Sequence, residues 1–131
     1  MKVNLECFAL AYYEANAIVL LTGGYIRNGT RSTNSVYSYD LCLQCWKEIC
    51  SMKQARHWHS SCSLGRKVYV FAGESKPGGF CRSIESLDMH DNTAWKTIKT
   101  QQIGKRCRPI VCPISNYEIL ILGGWSLGMI Y

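Results

Sequence analysis

Residues 56–59 read "RHWH", which puts His57 and His59 on the same side of an extended strand, a spacing suited to sharing a metal ion. No third ligand can be named. Residues 42–45 read "CLQC", with the two-residue gap of zinc sites and redox pairs. A structural zinc needs four ligands, though, and a second pair of that spacing is absent, while Cys50 would lie at the far end of a strand. His90 falls in a turn. The "GGF" at residues 78–80 lacks the lysine and helix of a phosphate-cradling loop, and no nucleophile elbow or paired carboxylates stand out. The expectation is a protein without cofactor or metal and with no catalytic residue.

The elements that would position these residues recur. Apolar runs end on glycine at "IVLLTGGY", "VYVFAGES" and "EILILGGW", so that Gly23, Gly73 and Gly123 repeat at intervals of 50 residues. Arg56 and Arg106 share that interval, as do Cys62 and Cys112, expected to be small buried apolar side chains. Asn16, Arg66 and Asn116 occupy equivalent turns. After the glycines come polar loops, then "SVYSYDL" and "SIESLDM", then Trp46 and Trp95. Each unit reads as four short strands: 6–13, 17–23, 33–39 and 45–49, then 58–64, 67–73, 82–88 and 94–99, with 108–114 and 117–123 beginning a third. No helical periodicity is sustained, so the fold class is all-β.

The bulk properties fit. The chain has 131 residues, is 47% hydrophobic, and its apolar runs fall far short of the roughly 20 residues that cross a bilayer as a helix. Residues 1–24 show no signal-peptide pattern, so a cytoplasmic location and reduced thiols are expected for the eight cysteines. The net charge of +6 permits an acidic partner without demanding nucleic acid.

These features resemble the kelch repeat. The matching residues are the glycine pairs (Gly23 with Gly24, Gly123 with Gly124), the aromatic third strand (Tyr37, Tyr39), Trp46 and Trp95, and Arg56 followed by His59. The resemblance implies a partial β-propeller of four-stranded antiparallel blades, with residues 1–52 as one blade, 53–103 as a second and 104–131 as half of a third. It also implies a framework role for Gly23, Gly24, Tyr39, Trp46, Arg56, His59, Gly73, Trp95, Arg106, Gly123 and Gly124. Three positions depart from the pattern: Glu74 where glycine is expected, Pro109 where histidine would lie, and Glu6 where arginine would lie. The glycine pair is expected to release the chain from a crowded strand near the propeller axis.

Two and a half blades do not close a ring, which takes four to eight. The remaining blades of a longer protein, or self-association, are expected to cover the open faces and the apolar tail at residues 125–131. Sorting charges by loop puts Arg27, Arg31, Lys53, Arg56, Lys76, Arg82, Lys105, Arg106 and Arg108 at one end of the blades. Glu14, Asp40, Asp88, Asp91 and Glu118 go to the other, with Arg66 and Lys67 as exceptions. The expected function is a protein-interaction module, with Arg27, Arg31, Lys76, Arg82 and Arg108 pairing with acidic or phosphorylated segments of a protein partner. Neither nucleic acid nor membrane is expected as a partner. The resemblance implies scaffold, substrate-adaptor or signalling roles; the alternative it leaves is a fragment of a galactose-oxidase-like copper enzyme.

Overall fold

The structure, a computed structural model, describes residues 4–27, 31–100, 103–126 and 129–130. Its first four-stranded sheet is an antiparallel meander of β2 (Ala9–Tyr13), β3 (Ile18–Thr22), β6 (Val36–Asp40) and β7 (Cys45–Ile49). A second meander repeats the design with β8 (Ser60–Leu64), β9 (Lys67–Phe71), β10 (Ile84–Asp88) and β11 (Lys96–Ile98). A third unit contributes β12 (Ile110–Pro113) paired with β13 (Ile119–Leu122). Short ribbons lie among the loops: β1 (Leu5–Glu6), β4 (Tyr25–Ile26) and β5 (Arg31–Ser32) form one, and β14 (Trp125–Ser126) with β15 (Met129–Ile130) another. All ten long strands fall within a few residues of their predicted spans. The tail predicted as apolar lies partly outside the described residues.

The first strands of successive units, β2, β8 and β12, run side by side. The strand that ends in glycine is therefore the second of each unit, directly beside those first strands. Alternation along each strand sends one set of side chains to each neighbouring unit. Ala11, Tyr13, Leu20 and Val36 of the first sheet pack with Val68, Val70, Leu87 and Trp95 of the second, together with Met52 from the connecting loop. On the second sheet's other face Cys62, Phe71 and Ala72 meet Val111, Ile119 and Ile121 of the third unit.

Trp95 is buried in the first of these cores and donates its indole N–H to the Cys50 carbonyl at 3.0 Å. Trp46, at the matching place one unit earlier, stacks on Tyr39 at 5.0 Å but stays exposed, because it belongs to the face that no unit among the described residues covers. Cys112 is exposed rather than buried like Cys62, and Ile110, Leu120 and Leu122 are exposed with it. Both outer faces of the array are thus apolar and open.

Backbone geometry corrects the alignment of the repeat. Gly23, Ala72 and Gly123 all have left-handed φ, at 54°, 59° and 59°, and Gly24, Gly73 and Gly124 follow at 114°, 87° and 100°. The pair in the second unit is therefore Ala72 with Gly73, and Glu74 corresponds to Tyr25 and Trp125 rather than to a glycine. The expectation that Gly73 matches Gly23 and Gly123 at even intervals is off by one residue. The reason for the pair is a close approach. Gly24 N–H donates to the Arg56 carbonyl of the next unit at 2.9 Å, and a β carbon on Gly23 would stand 2.5 Å from that same oxygen. In the next unit Gly73 N–H donates to the Arg106 carbonyl at 3.1 Å.

Gly24→Ala, which would combine φ of +114° with a contact of 2.9 Å to the Glu6 carbonyl, is expected to cost more than about 2 kcal/mol. Ala72→Gly, although it removes a fully buried methyl, is expected to be neutral within about 0.5 kcal/mol because it relieves left-handed strain of similar size. Urea denaturation midpoints of the two variants check both; a tolerated Gly24→Ala would remove the close-approach explanation.

Candidate functional site

Two residues before the first strand of each unit, Cys7, Trp58 and Arg108 each adopt a left-handed φ, at 56°, 51° and 54°. Trp58 N–H donates to the Cys7 carbonyl at 3.0 Å, and Arg108 N–H to the Trp58 carbonyl at 2.6 Å, so the three positions form a chain from unit to unit. The residues just before them pair outward, Glu6 with Tyr25, His57 with Glu74 and Cys107 with Trp125. By this register Leu5, not Glu6, stands where Arg56 and Arg106 stand in their units. The side chains follow the backbone. The Trp58 indole N–H lies 2.8 Å from the Cys7 sulfur, and the Arg108 guanidinium sits 4.4 Å from the Trp58 ring centre, a cation–π contact at an exposed position.

Two concavities open beside Trp58. One, of about 340 Å³, is lined by Trp58, Cys107, Arg108 and Trp125. The other, of about 330 Å³, is lined by Glu6, Cys7, Tyr25, His57, Trp58, Glu74 and Pro77. They lie at the end of the sheets where β3, β9 and β13 finish and β2, β8 and β12 begin.

The predicted basic residues are distributed as follows. Arg27 forms an ion pair with Glu6 at 3.1 Å, while Arg31, Lys76, Arg82 and Arg108 are exposed on the loops of this end. Arg106 donates to the Gly123 carbonyl at 3.1 Å. Arg56 is fully buried and holds Glu85 at 2.7 Å, while also donating to the carbonyls of Ala72 and Ser83. Glu85 in turn accepts from the backbone N–H groups of Lys53 and Gln54 at 2.6 and 3.1 Å. The charge sorting omitted Glu6, Glu74 and Glu85, all of which lie at the basic end. At the other end Arg66 is paired with Asp88 at 2.9 Å, so it does not oppose the acidic character there.

The two histidines do not share a metal. The left-handed Trp58 between them breaks the extended run, and each ring takes its own partner: His59 Nε2 meets Thr22 Oγ1 at 2.9 Å, and His57 Nδ1 meets Ser32 Oγ at 2.7 Å. Burial pushes His59 down to about 3, with the Arg56 charge acting in the same direction, and burial lowers His57 as well. Cys42 and Cys45 are exposed on the β6–β7 turn, whose Cys42 and Leu43 N–H groups are capped by Asp40 at 2.8 Å. Among the described residues no group of three or more His, Cys, Asp or Glu is placed to hold a metal ion. Burial raises the Cys62 thiol to about 11 and raises Cys81, Cys107 and Cys50 as well, which keeps these side chains as thiols at neutral pH.

Sequence reasoning passed over Trp58, because "RHWH" read as a strand and the equivalent residues Cys7 and Arg108 share no residue type with it. Glu74 did leave a signal, as an acid where a glycine was expected.

Four-stranded antiparallel blades whose first strands pack side by side are the build of a β-propeller, of which the chain forms an arc. A family model described as Kelch motif matches residues 18–53. An F-box/kelch-repeat protein of Arabidopsis thaliana is 26% identical over 68% of this chain and 20% of its own length. Kelch-like protein 36 of Bos taurus is 28% identical over 82% of this chain and 18% of its own. tRNA wybutosine-synthesizing protein 4 of Candida albicans is 26% identical over 76% of this chain and 15% of its own. Residues 18–53 thus carry a kelch motif, the chain is similar to kelch-repeat proteins, and it spans a fifth or less of the length of these relatives.

Glu85→Gln is expected to destabilise the fold by about 3 kcal/mol or more, since it leaves the Arg56 charge buried and unpaired. Chemical denaturation at pH 7 measures this, and a loss below about 1 kcal/mol would mean the pair is dispensable. His59 makes stability depend on pH. Its folded pKa lies below the unfolded value of about 6.5, so its contribution is complete above pH 6.5 and is lost as pH falls toward about 3, at up to about 1.4 kcal/mol per unit. His59→Gln is expected to flatten the fall between pH 6.5 and 5, leaving the smaller part due to His57; equal slopes in the two proteins would contradict this.

Proposed function

We propose that this chain is a non-enzymatic protein-interaction segment whose loop end, around Trp58, docks an acidic stretch of a protein partner. The observation that carries the reading is the exposed Arg108 guanidinium held over the Trp58 ring beside the cavity shared with Trp125. Trp and Arg in a partly desolvated hollow are the residue types that dominate binding energy at protein interfaces, and an arginine fork pairs bidentately with carboxylate or phosphate. Arg31, Lys76 and Arg82 extend the positive surface on neighbouring loops, whereas Arg27 contributes less because Glu6 already pairs with it. The names of the F-box/kelch-repeat and Kelch-like relatives support an interaction role of this general kind. In this reading residues 1–52, 53–103 and 104–131 are successive blades of a cytoplasmic adaptor, whose open apolar faces are covered by further blades or by a second copy. No nucleic acid or membrane is invoked.

The test is binding of a fluorescent glutamate-rich heptapeptide, followed by anisotropy at two salt concentrations. Charge reversal at Arg31, Arg82 and Arg108 together is expected to weaken it at least tenfold, while Lys67→Glu, at the start of β9 and so at the opposite end, leaves it unchanged. Equal affinity in both variants would remove this end as the acidic-partner surface.

A further inference from the structure

The second cavity has a chemistry of its own. Glu74 is 4% exposed, its carboxylate has no hydrogen-bond partner among the described residues, and it lines the hollow of about 330 Å³. The carboxylate is not among the fully enclosed polar atoms that lack a partner, so it opens on this hollow, where a ligand of opposite charge would pair with it. The other walls are aromatic. The Tyr25 and His57 rings meet edge to face at 5.2 Å, and the His57 and Trp58 rings follow at 4.7 Å, so three rings run together along the cavity. Burial holds His57 below its ordinary value, and its Nδ1 is engaged by Ser32, so this ring does not neutralise Glu74 at pH 7. Glu6 adds a second carboxylate, already paired with Arg27, and Pro77 closes another side.

We infer that this cavity binds an organic cation, an alkylammonium or guanidinium group, with the Glu74 carboxylate as counter-ion and the Tyr25 and Trp58 rings as walls. Ring faces attract such cations most strongly when the cation is desolvated. The inference rests on the reading of this end of the blades as a binding surface and specifies part of what it binds. A partner segment would place a lysine or arginine beside Glu74 while an acidic residue meets Arg108, and Trp58 would be common to both contacts. The sign of the charge separates this pocket from the surrounding basic loops, which repel a free cation unless a specific site compensates.

The experiment follows the Trp58 indole proton by NMR while two probes are added separately: N-acetyl-arginine amide, standing for a partner's side chain, and tetramethylammonium, standing for a free small cation. Saturable shifts of that resonance are expected, at least tenfold weaker in Glu74→Gln and severalfold weaker in Tyr25→Leu, with both variants checked for an unchanged β-sheet melt. Stronger binding of the arginine probe identifies a protein side chain as the source; stronger binding of tetramethylammonium identifies a free cation. Absence of saturable binding of either probe at millimolar concentration, or binding indifferent to Glu74, would overturn the inference. The glutamate-rich peptide is titrated into the same samples. If it binds and neither cation does, the pocket assignment alone fails; if the cations bind through Glu74 and the peptide does not, the acidic-partner reading alone fails.

Discussion

The Arg56 carbonyl occupies the space where a β carbon on Gly23 would lie and accepts the N–H of Gly24, and this backbone contact sets how one blade meets the next. Each blade by itself is a twisted meander with two apolar faces, and nothing in a meander fixes the angle to its neighbour. The loop leading into the following blade does so by docking on the glycine pair of the blade before it. The same contact recurs from Gly73 to the Arg106 carbonyl. Because it joins backbone to backbone, it tolerates wide change in side chains while demanding small residues at the pair, and Ala72 marks the limit of that tolerance.

A second layer of constraint keeps the docking loop in place. Arg56 is buried in the same loop and reaches across the second blade to Glu85, which turns back to cap the N–H groups of Lys53 and Gln54. Glu85 and both terminal nitrogens of Arg56 have partners, and Arg56 Nε alone of this buried pair's polar atoms has none, so most of the cost of burying the two charges is offset. The pair therefore closes a circuit from loop to strand and back to the same loop. The hydrophobic cores on either side of the second blade supply the bulk of the driving force, and the polar circuit specifies one seating of the blades.

The binding surface follows from this arrangement. Once the loops are docked, the residue that follows Glu6, His57 or Cys107 takes a left-handed turn, and its side chain projects at the end of the sheets beside those of its neighbours. Cys7, Trp58 and Arg108 come together in this way although they lie about 50 residues apart in the chain. The surface thus combines residues that the repeat positions but does not dictate, which is how one blade design can serve different partners.

The sequence by itself determined the all-β class, the four-strand unit and the ten long strands, because glycine punctuation and period-two alternation act locally and recur. It also determined the exposure of Arg27, Arg31, Arg82 and Arg108, since charged side chains in polar turns rarely find a buried place, but not the burial of Arg56, which the same sorting put beside them. Only the tertiary structure decided which glycines are equivalent, because φ values rather than spacing define the docking pair, and the second unit is shifted by one. It alone decided that His57 and His59 diverge, since the left-handed Trp58 between them is imposed by the hydrogen bond to Cys7 in the neighbouring unit. The partnership of Arg56 with Glu85 and the hollow around Glu74 were likewise settled by inter-blade packing, a long-range effect that no local pattern encodes.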